Sequence, residues 1–310
     1  MMHRRQFLQS SGWGCAALLG HLAHPAQSLS TMSRKGWSFI HYTDIHVQPE
    51  LRGDEGYRQA VRAMNAMKPQ PAFAIAGGDL VFDAFDVGYE RADNLFTMYS
   101  QITQGLDMPS HATLGNHDVF GVGTQSGLSL EHPERGKAMF AKRIGKGATY
   151  RSFDFRDWHF VLLDSIAITE DRDYEGRIDN EQLAWLENDL KDVGAKRPVV
   201  LVSHIPFFSI FPTLEAGPLQ PVSPGIIVTN GKEVFQLCSR FNIRLILQGH
   251  LHIVEDHRYV HTQYITSGAV CGNWWKGPRN GHREGFAVYT IEGDEVRWSY
   301  QSYGWQAATS

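Results

Sequence analysis

Seven side chains of types that bind metal ions occur in five short clusters, each directly after an apolar segment. They are Asp44, His46, Asp79, Asn116, His204, His250 and His252. Two carboxylates, four imidazoles and one amide oxygen suit Mn²⁺, Fe²⁺ or Zn²⁺ and suit Ca²⁺ poorly. One ion does not need seven ligands, whereas two ions that share a carboxylate can each take four and keep positions for water and substrate. The residue types therefore indicate a two-metal centre suited to displacement at phosphorus.

The five clusters follow five predicted strands of an α/β chain. The strands are predicted at residues 37–42, 72–76, 110–114, 198–202 and 243–247. Helices are predicted at about residues 57–67, 87–104 and 179–191, the last with Asp179 as its N-cap. An antiparallel pair is predicted at 150–155 and 158–163, and further strands at 254–259, 264–267, 286–291 and 295–300. Ligands of open α/β sheets bind at the carboxyl ends of strands, so this pattern places the seven side chains at one edge.

The order of the motifs carries a family resemblance. Along the chain come Asp44-x-His46, Gly78-Asp79, Gly115-Asn116-His117-Asp118, His204 and Gly249-His250-x-His252. In these motifs the sequence from Trp37 onward resembles the calcineurin-like metallophosphoesterases. The resemblance implies a four-layer α/β/β/α sandwich with mixed sheets. It also implies one metal held by Asp44, His46, Asp79 and His252, and a second held by Asp79, Asn116, His204 and His250, with Asp79 bridging the two.

One position distinguishes branches of that superfamily. The purple acid phosphatases carry a tyrosine three residues after the bridging aspartate, where this chain has Phe82, and this chain has His46 in addition. The chain is therefore more similar to the cyclic-nucleotide phosphodiesterase-like, class III branch.

The expected activity is metal-dependent hydrolysis of a small phosphodiester. A hydroxide that bridges the two ions would attack phosphorus, because coordination lowers the pKa of water. His117, next to ligand Asn116, would assist the leaving group, with Asp118 holding the imidazole. Alternatively, Asp118 caps the next helical turn. Two other functions stay open: a phosphomonoesterase on the same centre, and a protein that binds a phosphorylated ligand without turnover.

Two segments are candidate lids over the site. Residues 271–284 form a glycine-rich loop whose members could contact substrate by stacking or by binding phosphate, namely Trp274, Trp275, Lys276, Arg279, His282 and Arg283. Alternatively, the two tryptophans pack against the edge of the sandwich. Residues 205–230 follow ligand His204, are rich in proline and phenylalanine, and show no regular periodicity.

The first 28 residues resemble a twin-arginine export signal, with Arg4 and Arg5 before a short, interrupted apolar stretch. We therefore expect export to the periplasm through the twin-arginine machinery, either with cleavage of the signal or with the signal retained as an anchor. A protein folded before export takes its metal in the cytoplasm, which favours Mn or Fe over Zn. Residues 29–310 are predicted to form a single domain, since no linker divides them.

Composition excludes several other classes of protein. With 42% hydrophobic and 20% charged residues the chain can bury a core, and a formal charge of −4 gives no basic excess for a stable nucleic-acid complex. Outside the signal, the chain has two cysteines, Cys238 and Cys271. They form either two buried thiols or, in an oxidising compartment, a disulfide.

Overall fold

The computed structural model describes residues 36–308, so the predicted signal at residues 1–28 lies outside the described part. The strands are β1 (Trp37–Tyr42), β2 (Ala74–Ala76), β3 (Ser110–Ala112), β4 (Arg151–Phe155), β5 (Trp158–Leu162), β6 (Ile166–Ile168), β7 (Tyr174–Gly176), β8 (Val199–Ser203), β9 (Ile243–Gln248), β10 (Glu255–Tyr259), β11 (Thr262–Thr266), β12 (Gly285–Glu292) and β13 (Glu295–Ser302). The helices are α1 (Gly53–Asn65), α2 (Tyr89–Thr103), α3 (Ala138–Arg143), α4 (Asn180–Val193), α5 (Phe211–Ala216) and α6 (Gly231–Cys238).

Two mixed sheets form the centre of the fold. The first has the strand order β13-β12-β1-β2-β3, with β1, β2 and β3 parallel and β12 and β13 antiparallel. The second has the order β10-β11-β9-β8-β5-β4, with β11, β9, β8 and β5 parallel and an antiparallel strand at each edge. The β6–β7 hairpin stands apart from both sheets. The parallel strands bring their carboxyl ends to one edge, as the predicted site requires.

Alternation along the strands divides the apolar core into layers. Phe39 of β1 and Val200 of β8 belong to the cluster between the sheets, whereas their neighbours Ile40 and Leu201 belong to the cluster that includes the buried faces of the helices. Strands buried on both faces are expected where helices cover an α/β sheet. The observed architecture confirms the predicted α/β fold with mixed sheets.

The predicted elements are largely present, with differences at their limits. The β4–β5 pair is antiparallel as predicted, and the Asp179 side chain accepts a hydrogen bond from the Gln182 amide as the N-cap of α4. The sequence did not predict α3, α6 or the β6–β7 hairpin, and segment 205–230 contains the short helix α5. Among residues 36–308, no helix combines the length and hydrophobicity needed to cross a bilayer.

Helix α1 begins at Gly53, whereas the apolar periodicity indicated a start near Tyr57. Glycine is a poor helix former, so Gly53 and Gly56 concealed the first turn. Their purpose is packing against Trp275: a Cβ on Gly56 would lie 2.2 Å from the Trp275 ring, and one on Gly53 would lie 2.8 Å from its Nε1. A tertiary contact, which local propensity does not report, sets the start of this helix.

Both cysteines of the described chain are free and buried. The structure therefore agrees with two buried thiols and contradicts a Cys238–Cys271 disulfide.

Candidate metal centre

The predicted ligands lie where the parallel strands end, and most of them have an uncommon backbone conformation. Five of the seven have positive φ angles: Asp44 (54°), His46 (44°), Asp79 (51°), His250 (71°) and His252 (57°). A residue with a Cβ adopts this region only at a cost, and such strain concentrates at functional sites. The left-handed turns direct these side chains back over the ends of their own strands, where they converge.

Close approach of two strand ends requires a glycine at position 115. A Cβ there would lie 2.1 Å from the Asp79 amide nitrogen and 2.2 Å from Asp79 Oδ1. The missing side chain lets the Asn116 turn lie directly against the Asp79 carboxylate. That contact continues in a hydrogen bond of 2.9 Å from the His117 amide to Asp79 Oδ1.

One half of the centre contains His46, His252, Asp44 and Asp79. His46 Nδ1 donates to the Phe82 carbonyl and His252 Nδ1 donates to the Gly272 carbonyl, so the neutral form of either ring has its proton on Nδ1. The two Nε2 atoms then carry lone pairs, and they face each other at 3.1 Å. Asp79 Oδ2 lies 3.4 Å from His46 Nε2, and Asp44 Oδ1 lies 3.4 Å from His252 Nε2.

The other half contains His204, Asn116, His250 and the same Asp79 carboxylate. His204 Nδ1 donates to the Gly77 carbonyl, and its Nε2 lies 3.1 Å from Asn116 Oδ1 and 3.2 Å from Asp79 Oδ2. His250 Nε2 is buried with no hydrogen-bond partner among the described residues. Asp79 Oδ2 is therefore within 3.4 Å of a histidine from each half.

This donor set fits metal ions. The buried carboxylates of Asp44 and Asp79 need positive charge close to them, and the buried His250 Nε2 has no hydrogen-bond partner that would stabilise it among the described residues. Three groups have donor atoms close enough to share an ion, namely His46-Asp79-His117, Asp79-His204-His250 and His46-His252-Cys271. Burial lowers the pKa of His46 to about 3 and that of His250 to about 4, so both rings are neutral donors at pH 7. At His204 the charge of Asp79 outweighs burial and raises the pKa to about 9, and at His252 Cys271 and Asp44 raise the pKa well above its usual value. A cation bound at the centre would take the place of these two protons.

Asp44 is held in place before any ligand binds. Its carboxylate accepts hydrogen bonds from the His250 amide, at 3.0 Å to each oxygen, and from the Thr43 hydroxyl at 2.7 Å. Hydrogen bonds to a ligating carboxylate fix its orientation.

Asp118 does not hold His117, which contradicts that part of the sequence prediction. Its Oδ1 accepts from the amides of Leu80 and Val81, and its Oδ2 accepts from the amide of Gly115. Asp118 thus caps the turn Asn116–Asp118 and links it to the strand end that carries Asp79. The structure supports the capping alternative.

His117 has a different carboxylate nearby. Its Nδ1 has no hydrogen-bond partner among the described residues and lies 4.0 Å from Asp83 Oδ1. Asp83 is itself fixed, since the same oxygen accepts a hydrogen bond of 2.7 Å from the Phe85 amide. Sequence reasoning missed Asp83 because it follows the Asp79 motif in a segment that carries no motif of its own.

A cavity of about 460 Å³ opens over the predicted ligands, with Asp79, Asn116, His117, His250 and His252 in its lining. Much of the remaining wall comes from segment 205–230, including Phe211, Val222 and Ile226. Tyr174 of the β6–β7 hairpin completes one side. This placement agrees with the prediction that segment 205–230 overhangs the site, while Tyr174 had no signal in the sequence.

The second predicted lid, residues 271–284, contributes two side chains to the cavity. The centres of the Trp274 and His252 rings are 4.6 Å apart, and the Arg279 guanidinium lies 5.1 Å from the centre of the Trp274 ring. Arg279 Nε is buried with no hydrogen-bond partner among the described residues. Both residues are therefore positioned to contact a substrate.

Trp275 is not a substrate-contacting residue, in contrast to the prediction. It is 1% exposed, packs edge-to-face on Trp305, and donates from Nε1 to the His46 carbonyl at 2.9 Å. It agrees instead with the alternative of a tryptophan packed in the sandwich, and it ties the loop to a predicted ligand.

Three other residues of this loop lie outside the cavity lining. Lys276 lines a neighbouring recess with Gln48 and Phe82, which shares Trp274 with the cavity. His282 Nδ1 accepts a hydrogen bond from the Val254 amide. The Arg283 carbonyl accepts a hydrogen bond from the Tyr300 hydroxyl. The structure therefore does not bring these three predicted residues to the site.

Comparison with known proteins identifies the family. A sequence model described as calcineurin-like phosphoesterase matches residues 38–254. The chain belongs to the calcineurin-like phosphoesterase family. Metal-dependent hydrolysis of phosphoesters is the activity that this membership and the donor set support. No curated protein sequence matches this phosphoesterase.

Solved structures share the fold of this phosphoesterase at low sequence identity. A dimetal phosphatase from Danio rerio matches with a TM-score of 0.61 and 15% identity, over 86% of this chain and 96% of that one. GAP50, the anchor in the inner membrane complex of Plasmodium, matches with a TM-score of 0.53 and 14% identity, over 86% of this chain and 85% of that one. The phosphopantetheinyl hydrolase of Mycobacterium tuberculosis matches with a TM-score of 0.50 and 13% identity, over 75% and 89%. These matches show a shared fold.

Proposed function

We propose that this phosphoesterase hydrolyses a small phosphodiester with two divalent metal ions. The observation that supports the proposal is the convergence of metal-binding side chains from five strand ends around the Asp79 carboxylate. The cavity wall supports a diester over a monoester. Arg279 is the one lysine or arginine among the described residues that line it, whereas Phe211, Ile226 and Trp274 offer apolar surface for a second ester group.

The roles of the residues follow from their positions. Asp44, His46, Asp79 and His252 would hold one ion, and Asp79, Asn116, His204 and His250 the other. Bound divalent ions supply a nucleophilic water and positive charge for the phosphoryl oxygens. His117 lines the cavity with a ring nitrogen free to move a proton to the leaving group, and Asp83 is the carboxylate that can orient it. Arg279 would bind a phosphoryl oxygen or a neighbouring anionic group.

The test compares turnover of bis-p-nitrophenyl phosphate and p-nitrophenyl phosphate by protein stripped of metal and reloaded with Mn²⁺. We expect faster turnover of the diester and loss of both activities in Asn116→Ala. Asn242→Ala is the matched control, because Asn242 donates to the Lys196 carbonyl away from the cavity. A preference for the monoester would make the protein a phosphatase. Two bound metals without turnover of either compound would support a binding protein.

Three finer assignments belong to the same proposal. Phe82 and His46 support the cyclic-nucleotide phosphodiesterase-like branch of the family. Arg4 and Arg5 support export through the twin-arginine machinery, to be tested by replacing both with lysine and following the protein in the periplasmic fraction. Loading before export favours Mn or Fe, and protein isolated from its native compartment with zinc alone would contradict this.

A further inference from the structure

Exposed apolar side chains form a strip beside the mouth of the cavity. The strip consists of Phe208, Ile210, Leu214, Leu219, Phe235 and Tyr259, all exposed. Leu219 is 93% exposed and Leu214 is 73% exposed, so these two leucines project almost fully into solvent. Scattered surface leucines are ordinary, but here four large apolar side chains lie within residues 208–219, and Phe235 and Tyr259 line a groove together with Phe208. Such a concentration marks an interaction surface.

The strip adjoins the metal centre through helix α5. Phe211 and Glu215 of this helix line the cavity, whereas Leu214, on the same helix, is exposed. At the other end of the strip, Phe208, Phe235 and Tyr259 line one apolar groove, and the Phe235 and Tyr259 rings lie 5.6 Å apart. Whatever covers the strip therefore comes close to the entrance of the cavity.

Charge indicates the kind of surface that would cover the strip. Residues 205–231 contain one charged side chain, Glu215, so little charge has to be removed from water when this segment is buried. Lys232 and Arg258 line the groove, are exposed, and form no ion pair among the described residues. Their acidic neighbours Glu233 and Asp256 are also exposed but do not line it. Projecting leucines and aromatic rings with cationic side chains at the border are typical of proteins that bind at an anionic lipid interface.

We infer that the strip docks on the surface of an anionic lipid bilayer and presents lipid headgroup phosphoesters to the metal centre. The docking stands on the strip alone, while the choice of headgroups as substrate rests on the proposed function. Leucines that insert partly into a bilayer need no partner surface of complementary shape. Side chains that project from a proline-rich loop can therefore bind a bilayer in this way. The headgroup phosphate would then reach the cavity from the side that segment 205–230 forms.

The test uses the full chain loaded with Mn²⁺ and vesicles of phosphatidylethanolamine and phosphatidylglycerol, with phosphatidylcholine vesicles for comparison. We expect cosedimentation with the anionic vesicles, and a fall in partitioning of at least about tenfold in the double variant Leu214→Asp/Leu219→Asp. Leu130→Asp is the matched control, because Leu130 is 65% exposed and lies outside the strip. Neither Leu214 nor Leu219 lines the cavity, so the double variant should turn over soluble bis-p-nitrophenyl phosphate at the wild-type rate.

Each outcome has a defined meaning. Absence of wild-type binding to the anionic vesicles, or equal loss in Leu130→Asp, overturns the docking. A wild-type dimer by light scattering that the double variant dissociates assigns the strip to a second copy of the chain and also overturns it. Docking without release of headgroups from the vesicles, by protein that hydrolyses the soluble diester, overturns the substrate assignment alone. Failure with both substrates places the fault in the proposed function.

Discussion

Trp275→Phe should show that a buried indole supports the metal centre through the backbone of His46. The Trp275 N–H donates to the His46 carbonyl at 2.9 Å, and the ring packs directly on Gly56. Phenylalanine lacks the donor, and leaving a buried carbonyl unpaired costs about 1–3 kcal/mol. The smaller ring also leaves a void, which adds about 1 kcal/mol. We therefore expect the free energy of unfolding to fall by about 2–4 kcal/mol.

Trp305→Phe is the matched control for this experiment. Trp305 is 6% exposed and packs on Trp275, but its Nε1 has no hydrogen-bond partner among the described residues. The same substitution there removes packing without removing a hydrogen bond, so we expect a loss of about 1 kcal/mol. Urea unfolding followed by circular dichroism measures both losses.

Metal binding separates a role at the site from a purely structural one. Since loss of the hydrogen bond frees the strained backbone of His46, Trp275→Phe should bind Mn²⁺ about tenfold more weakly, while Trp305→Phe should bind it as the wild type does. Titration with Mn²⁺ measures the difference. Equal losses of stability in the two variants, together with unchanged Mn²⁺ affinity, would refute the reasoning.

Four further predictions concern single residues. Gly115→Ala should lose metal and activity, since its Cβ would lie 2.1 Å from the Asp79 amide, whereas Gly231→Ala, with its nearest contact at 3.7 Å, should retain both by metal analysis. Asp83→Asn should lower kcat about tenfold with metal content unchanged. Asp118→Asn should lower the free energy of unfolding by about 2 kcal/mol, because the new amide cannot accept the same three hydrogen bonds. Loss of kcat in Asp118→Asn and loss of stability in Asp83→Asn would restore Asp118 as the partner of His117. His159 forms hydrogen bonds to Asp154 and Asp189, and these outweigh the effect of burial and raise its pKa. Its contribution to the free energy of unfolding is therefore complete below pH 6.5 and is lost as pH rises through the raised pKa. His159→Gln should therefore cost about 1–2 kcal/mol at pH 6 and less at pH 9, and a loss independent of pH would contradict the charged state.

The sequence predicted well what depends on the order of strands and on residue type. Strand ends in an α/β sheet meet at one edge, so a cluster at each of five ends was sufficient to place the ligand candidates together. The N-cap at Asp179 was also predictable, because a side-chain oxygen before a helix has one local role.

Features that depend on which way one side chain faces were not predictable. Trp274 and Trp275 are adjacent and of the same type, yet one lines the cavity and the other is buried, because their φ angles of 49° and 69° turn the chain between them. Asp118 and Asp83 differ in the same way. The carboxylate next to His117 in sequence faces backbone amides, and the one nearer in space comes from another segment.

The strained conformation of the ligands explains why the centre can form at all. Asp44 and His46 are held at positive φ by backbone hydrogen bonds to the neighbouring strand end, from the Asp44 amide to the Gly78 carbonyl and from the His46 amide to the Asp79 carbonyl. The Asp44 backbone carbonyl in turn accepts a hydrogen bond from the Cys271 amide, at the start of the loop that carries Trp274 and Arg279. The backbone therefore positions ligands from one strand by means of the next, and it connects them to the residues that would contact substrate. Because the ligand geometry is fixed by main-chain bonds between strand ends, a change in any one of these turns should reach both metals and the cavity wall together.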